Sequence, residues 1–106
     1  MKTEAEIASE ITERVRAELP LLAEHLRRWL QAHQTPPRPL TAWSDLEGTH
    51  PVQVWLVTDH SGDSDANSRV VYDVAGKMFG LVMELREGML WYMGAYGSLA
   101  ETVDSI

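Results

Sequence analysis

The chain has 106 residues, a formal net charge of −7 and no cysteine. That length gives one core, the missing thiols exclude disulfides, thiolate zinc sites and cysteine nucleophiles, and the negative charge repels phosphate backbones and anionic lipid, setting nucleic acid and membranes aside as partners. No apolar run approaches the roughly 20 residues a membrane helix needs, and Met1–Glu6 is too polar for a signal peptide, so a cytoplasmic protein is expected.

From the N-terminus, Thr3 and Glu6 stand at capping-box spacing, where a hydroxyl and a carboxylate satisfy orphan N–H groups reciprocally. Ile7, Ile11, Val15, Leu19, Leu22, Leu26, Trp29 and Leu30 then recur every three or four residues and form one apolar stripe. Glu10 with Arg14, and Glu24 with Arg28, are expected ion pairs on the polar side. Pro20 interrupts the helix because it lacks an N–H and clashes with the preceding turn. The stripe continues in phase across it, which predicts a kink or a tight helix–helix junction.

Pro36, Pro37 and Pro39 predict an extended strap over 35–39 that connects the helical region, 3–34, to a sheet. Residues 40–51 show no period and read as a loop. Val52–Thr58 and Arg69–Val74 are rich in β-branched and aromatic residues, and the polar stretch Asp59–Ser68 between them is too hydrophilic to bury. Short turns at Ala75-Gly76-Lys77 and Glu87-Gly88 predict further strands at Met78–Arg86 and Met89–Gly94 in an antiparallel meander. In the first of these, Phe79, Leu81, Met83 and Leu85 share one apolar face, while Met78, Gly80, Val82, Glu84 and Arg86 share a mixed one. Ser98 and Glu101 repeat the capping-box spacing before a short helix edged by Leu99 and Val103.

The expected fold is therefore α+β in a single domain. A long N-terminal amphipathic helical region, kinked or split at Pro20, covers an antiparallel meander of about four strands, and a short C-terminal helix completes the sheet portion, 52–106.

No catalytic motif emerges. Asp63, Asp65 and Asn67 match the start of a calcium-loop pattern, but Ser68 stands where glycine is needed and Val74 where the bidentate glutamate belongs. Asp59, His60 and Ser61 are neighbours on one extended segment and diverge, unlike a triad assembled by the fold. His25 and His33 lie eight apart, about 12 Å along a helix, too far to share one ion. Asp45 with Glu47, and Glu84 with Glu87, read as surface charge with no cleft to serve. No metal and no cofactor is expected.

Charge and aromatics are more informative. Residues 1–34 are nearly balanced, whereas residues 35–106 carry ten acidic and four basic groups. Trp91 and Tyr92 point to opposite faces of one strand, with Met89 and Met93 on the Trp91 side. That face is either a partner surface, since tryptophan and methionine adapt to and bury large areas, or a second small core beneath the proline strap and Trp43.

In size and acidity the chain resembles, in a general way, small bacterial immunity or accessory proteins. That resemblance implies a non-catalytic binding module that meets a basic protein partner by electrostatic steering. Asp59, Asp63 and Asp65, with Asp45 and Glu47, would supply the steering charge, and Tyr72, Trp91 and Tyr96 the anchors. Two alternatives stand beside it: a homodimer that pairs Met78–Arg86 or another strand edge, and a small enzyme or ligand carrier with a helix–sheet pocket.

Overall fold

The computed structural model describes residues 2–59, 68–86 and 89–105. Thr3 opens helix α1 (Glu4–Glu18): its hydroxyl accepts from the Glu6 N–H at 3.2 Å and donates to the Glu6 carboxylate. The apolar stripe turns inward, with Ile11 and Val15 fully buried. At Pro20 the chain leaves the α-helix through a single 3-10 turn, Leu19–Leu21, and Leu22 adopts an extended ψ of 148°. Helix α2 (Glu24–His33) begins afresh after Ala23, so the proline splits the helical region rather than bending it. No described helix is long and apolar enough to cross a membrane.

Strand β1 (Gln34–Trp43) follows α2 without a connector and pairs antiparallel with β2 (Pro51–Thr58), from Gln34 against Thr58 to Trp43 against Pro51. Strands β3 (Ser68–Asp73), β4 (Met78–Arg86) and β5 (Met89–Gly97) continue the meander. Four antiparallel steps leave the first and last strands parallel. The sheet curls until they meet, and the Trp43–Trp91 bridge closes a barrel. Helix α3 (Leu99–Asp104) is capped by Ser98, whose hydroxyl accepts from the Glu101 N–H at 3.2 Å.

Closure explains why the strands are apolar on both faces. One side of β2, β3 and β4 packs under the helices: Trp55 and Val57, Val70 and Tyr72, Phe79 and Leu81 meet Ile11, Val15, Leu22, Leu30, Leu99 and Val103. The alternate residues Ala42, Val54, Leu56, Val71 and Val82 fill the barrel interior, joined by Leu40, Leu90 and Tyr92. Aliphatic side chains fill most of the interior. At Gly80 a Cβ would stand 2.5 Å from the Gly94 carbonyl oxygen, so only glycine allows β4 and β5 to approach there.

Several expectations are corrected. The sheet has five strands, because the proline strap is itself β1. Prolines set an extended φ, and along most of its length β1 has a ladder neighbour only on the β2 side, where a strand tolerates missing donors. The loop expected over 40–51 shrinks to 44–50. β4 lies between β3 and β5, so Met78–Arg86 is no free edge for a second copy. Its apolar face is not covered throughout either: Leu81 is buried, but Leu85 lies beyond the helices and is 41% exposed. Arg14 pairs with Glu18 at 2.8 Å, while Glu10 binds Lys2. Glu24 and Arg28 pair at 2.6 Å as expected.

Candidate functional site

The barrel seam brings together three large side chains that belong to neither core. Trp43 ends β1, Trp91 is its Cα partner across the closing bridge, and Met83 is the partner of Trp91 on β4. Strand alternation fixes their direction. Leu40 and Ala42 point into the barrel, so Trp43 points out; Leu90 and Tyr92 point in, so Trp91 points out; Val82 points in, so Met83 points out. All three are half-buried, and Leu85 extends the row along β4. The row thus lies on the outer face of the sheet, where the helical cover has ended.

Beside the row, the 44–50 loop is held by Asp45. Its carboxylate accepts from the Thr49 N–H at 3.0 Å, from the His50 N–H at 2.9 Å and from the Thr49 hydroxyl. The Thr49 hydroxyl bond, with the two backbone donors, holds the Asp45 carboxyl well below the usual carboxylate range. Ser44 closes the loop by donating its N–H to the His50 carbonyl at 2.9 Å. The loop presents Leu46, 57% exposed, just after Trp43 in sequence.

A second constellation occupies one end of the barrel. Arg38 donates to Asp59 at 2.9 Å; Arg69, only 7% exposed, lies 3.7 Å from Asp59 and 3.3 Å from Glu84. These four charges surround a cavity of about 190 Å³ floored by Leu40, Leu56 and Leu90. Opposite charges compensate one another here, as buried charge requires.

A third feature is a largely apolar cavity of about 340 Å³ between α1 and β3, walled by Ile7, Ile11, Tyr72 and Val74. Its polar rim is the Lys2–Glu10 ion pair with Lys77.

The residues singled out from the sequence are dispersed among these features. Trp91 lies in the seam row. Asp59 is tied to two arginines, which offset its charge locally; Asp45 is held within its own loop by neutral donors, which leave its negative charge in place. Tyr72 is 3% exposed and is no surface anchor. It packs edge-on to Phe79, with ring centroids 5.0 Å apart, and its hydroxyl accepts from Arg14 at 2.9 Å. Tyr96 is half-buried against the helix-side core. Asp63 and Asp65, like His60, lie outside the described residues. Sequence reasoning placed Trp43 only in a second small core and Met83 only on an apolar sheet face; their alignment with Trp91 follows from the register across the seam.

Among the described residues, no group of three or more histidines, aspartates and glutamates converges as a metal site would require. His33 uses Nδ1 on the Trp29 carbonyl at 2.9 Å, and His50 sits 3.5 Å from Asp45 within its loop. No family model, curated protein or solved structure matches the chain.

Proposed function

We propose that the chain is a non-catalytic protein-binding module of immunity-protein or accessory type, working in the cytoplasm, whose contact surface is the Trp43–Trp91–Met83 row. The observation that carries this reading is the row itself: two tryptophans and a methionine aligned across three strands, on the outer face, in neither core. Aromatic and methionine side chains of this kind dominate interface energetics, because each removes a large adaptable area from water. The net charge of −7 favours a basic protein partner over nucleic acid, and brings it in faster at low ionic strength. With Asp59 paired to two arginines, the steering charge falls to Asp45, Glu47, Asp63 and Asp65.

Affinity capture from native lysate at low and moderate salt tests this. A stoichiometric protein of basic isoelectric point, lost as salt rises and lost at low salt on Trp91→Ala but not on Leu21→Ser, supports the reading. Retention of the same protein by Trp91→Ala removes it.

A second reading, a small-ligand carrier, is favoured by the cavity between α1 and β3. Its test is saturable binding of a small amphiphile that Ile7→Trp blocks while leaving partner capture intact.

A further inference from the structure

The barrel is closed by one bridge, and the two strands at the seam are protected unequally. Because β1 and β5 run parallel and Trp43 is the last residue of β1, β5 continues from Tyr92 to Gly97 past the end of its neighbour. Among the described residues, β1 and β5 have no bridge beyond Trp43–Trp91, so each leaves one edge of its backbone without a strand partner. An unpaired edge is a template for another strand, and proteins blunt it with proline, lysine or local twist.

β1 is blunted by Pro36, Pro37 and Pro39. β5 carries neither proline nor lysine. Residues 88–100 form the longest uncharged run in the chain, although a quarter of all residues are charged. The edge is also accessible at its middle: Ala95 is exposed, and a Cβ built on Gly94 meets nothing within 4 Å. Irregular pairing with β4 around Met93 and Tyr96 gives β5 extra twist, which limits any added strand to a short stretch.

From these observations we infer that the Tyr92–Gly97 edge of β5 pairs with the same edge of a second copy of this chain. Self-pairing of one edge requires a two-fold axis and antiparallel strands, which makes a closed dimer. A second copy is the fitting occupant because the residues of the edge are uncharged and partly aromatic on both sides of such an axis, and the Glu101 carboxylate reaches the edge only at its Gly97 end. Pairing through the edge extends the sheet and leaves its outer face open, so the two Trp43–Trp91–Met83 rows lie on one continuous sheet. The inference does not rest on the partner-binding reading, since it is measured on the isolated protein.

Sedimentation velocity over a wide concentration range provides the test, with hydrogen exchange alongside. The expected result is a mass that rises from that of one 11.9 kDa chain to two, with amides of residues 92–96 slowing as the dimer forms. Ala95→Lys places like charges across the axis at an exposed position and should weaken the dimer by about tenfold or more. Leu21→Lys, which changes net charge equally at a distant exposed site, should leave it unchanged. A monomer at every concentration overturns the proposal. So does a dimer that Ala95→Lys leaves intact, or one that Leu21→Lys dissociates to the same extent.

Discussion

Arg14 and Tyr72 are joined across the boundary between helix and sheet: the guanidinium donates to the phenol oxygen at 2.9 Å, and its carbon lies 5.3 Å from the centre of the same ring. The same guanidinium reaches the Lys77 carbonyl in the β3–β4 turn and the Glu18 carboxylate one helical turn on, at 2.8 Å. Glu18 in turn accepts from the Leu99 N–H at 2.8 Å, at the start of α3. One arginine therefore fixes α1 against a hairpin and, through Glu18, against the C-terminal helix. Arg14→Met, which keeps the packing stem, should cost about 2–3 kcal/mol in urea unfolding. Arg14→Lys should recover about half of that, since an ammonium lacks the planar fork needed to meet all three acceptors.

Asp45 should give stability an acid-side dependence. Its folded pKa lies below the unfolded value of about 3.9. The carboxylate therefore contributes fully above that value, and its contribution is lost as pH falls through the folded pKa. Asp45→Asn should show a flatter stability profile below about pH 4 than the native chain. Urea titrations at a series of pH values check this, and parallel profiles would refute it.

Two glycines and one lysine test the geometry of the sheet. Gly80→Ala should cost about 2 kcal/mol or more, because the new methyl meets a backbone oxygen rather than a side chain that can move. Gly94→Ala should also destabilise, by about 1–3 kcal/mol, for a different reason: its φ of 131° is closed to L side chains despite the open space. Lys77 holds a φ of 54° in the β3–β4 turn, so Lys77→Gly should be neutral or stabilising by up to about 1 kcal/mol. Thermal unfolding of the three variants separates these outcomes.

The two arginines at the barrel end should differ sharply. Arg38 is exposed and pairs with Asp59 from solvent, so Arg38→Gln should cost less than about 1 kcal/mol and less still at high salt. Arg69 is buried among Asp59 and Glu84 on the interior side of the barrel; Arg69→Met should cost about 2–4 kcal/mol with little salt dependence. Equal effects at the two positions would contradict the burial asymmetry.

Much of the fold was legible because local signals agreed with one another. Thr3 and Ser98 cap the helices their spacing announced, and Ile11, Val15, Leu22 and Leu30 form the buried stripe the period implied. What the sequence concealed arises from closure. Pro36, Pro37 and Pro39 carry a connector's signal, and only an edge position lets them stand in a strand. Val82 read as part of a mixed outer face, yet with Val54, Leu56 and Val71 it fills the interior of a barrel. Tyr72 resembled an exposed anchor because nothing local reveals that Arg14 satisfies its hydroxyl from 58 residues away. Trp91 was visible as a candidate from its alternation with Tyr92, whereas its alignment with Trp43 and Met83 required the seam.

The most direct test of the seam row as a contact surface is site-specific photocrosslinking. A benzophenone side chain placed at position 91, at position 43, or at exposed position 21 as control is irradiated in native lysate. The proposed role predicts one discrete adduct with a basic protein from positions 91 and 43 and none from 21. No adduct from either tryptophan position, or the same adduct from position 21, would contradict it.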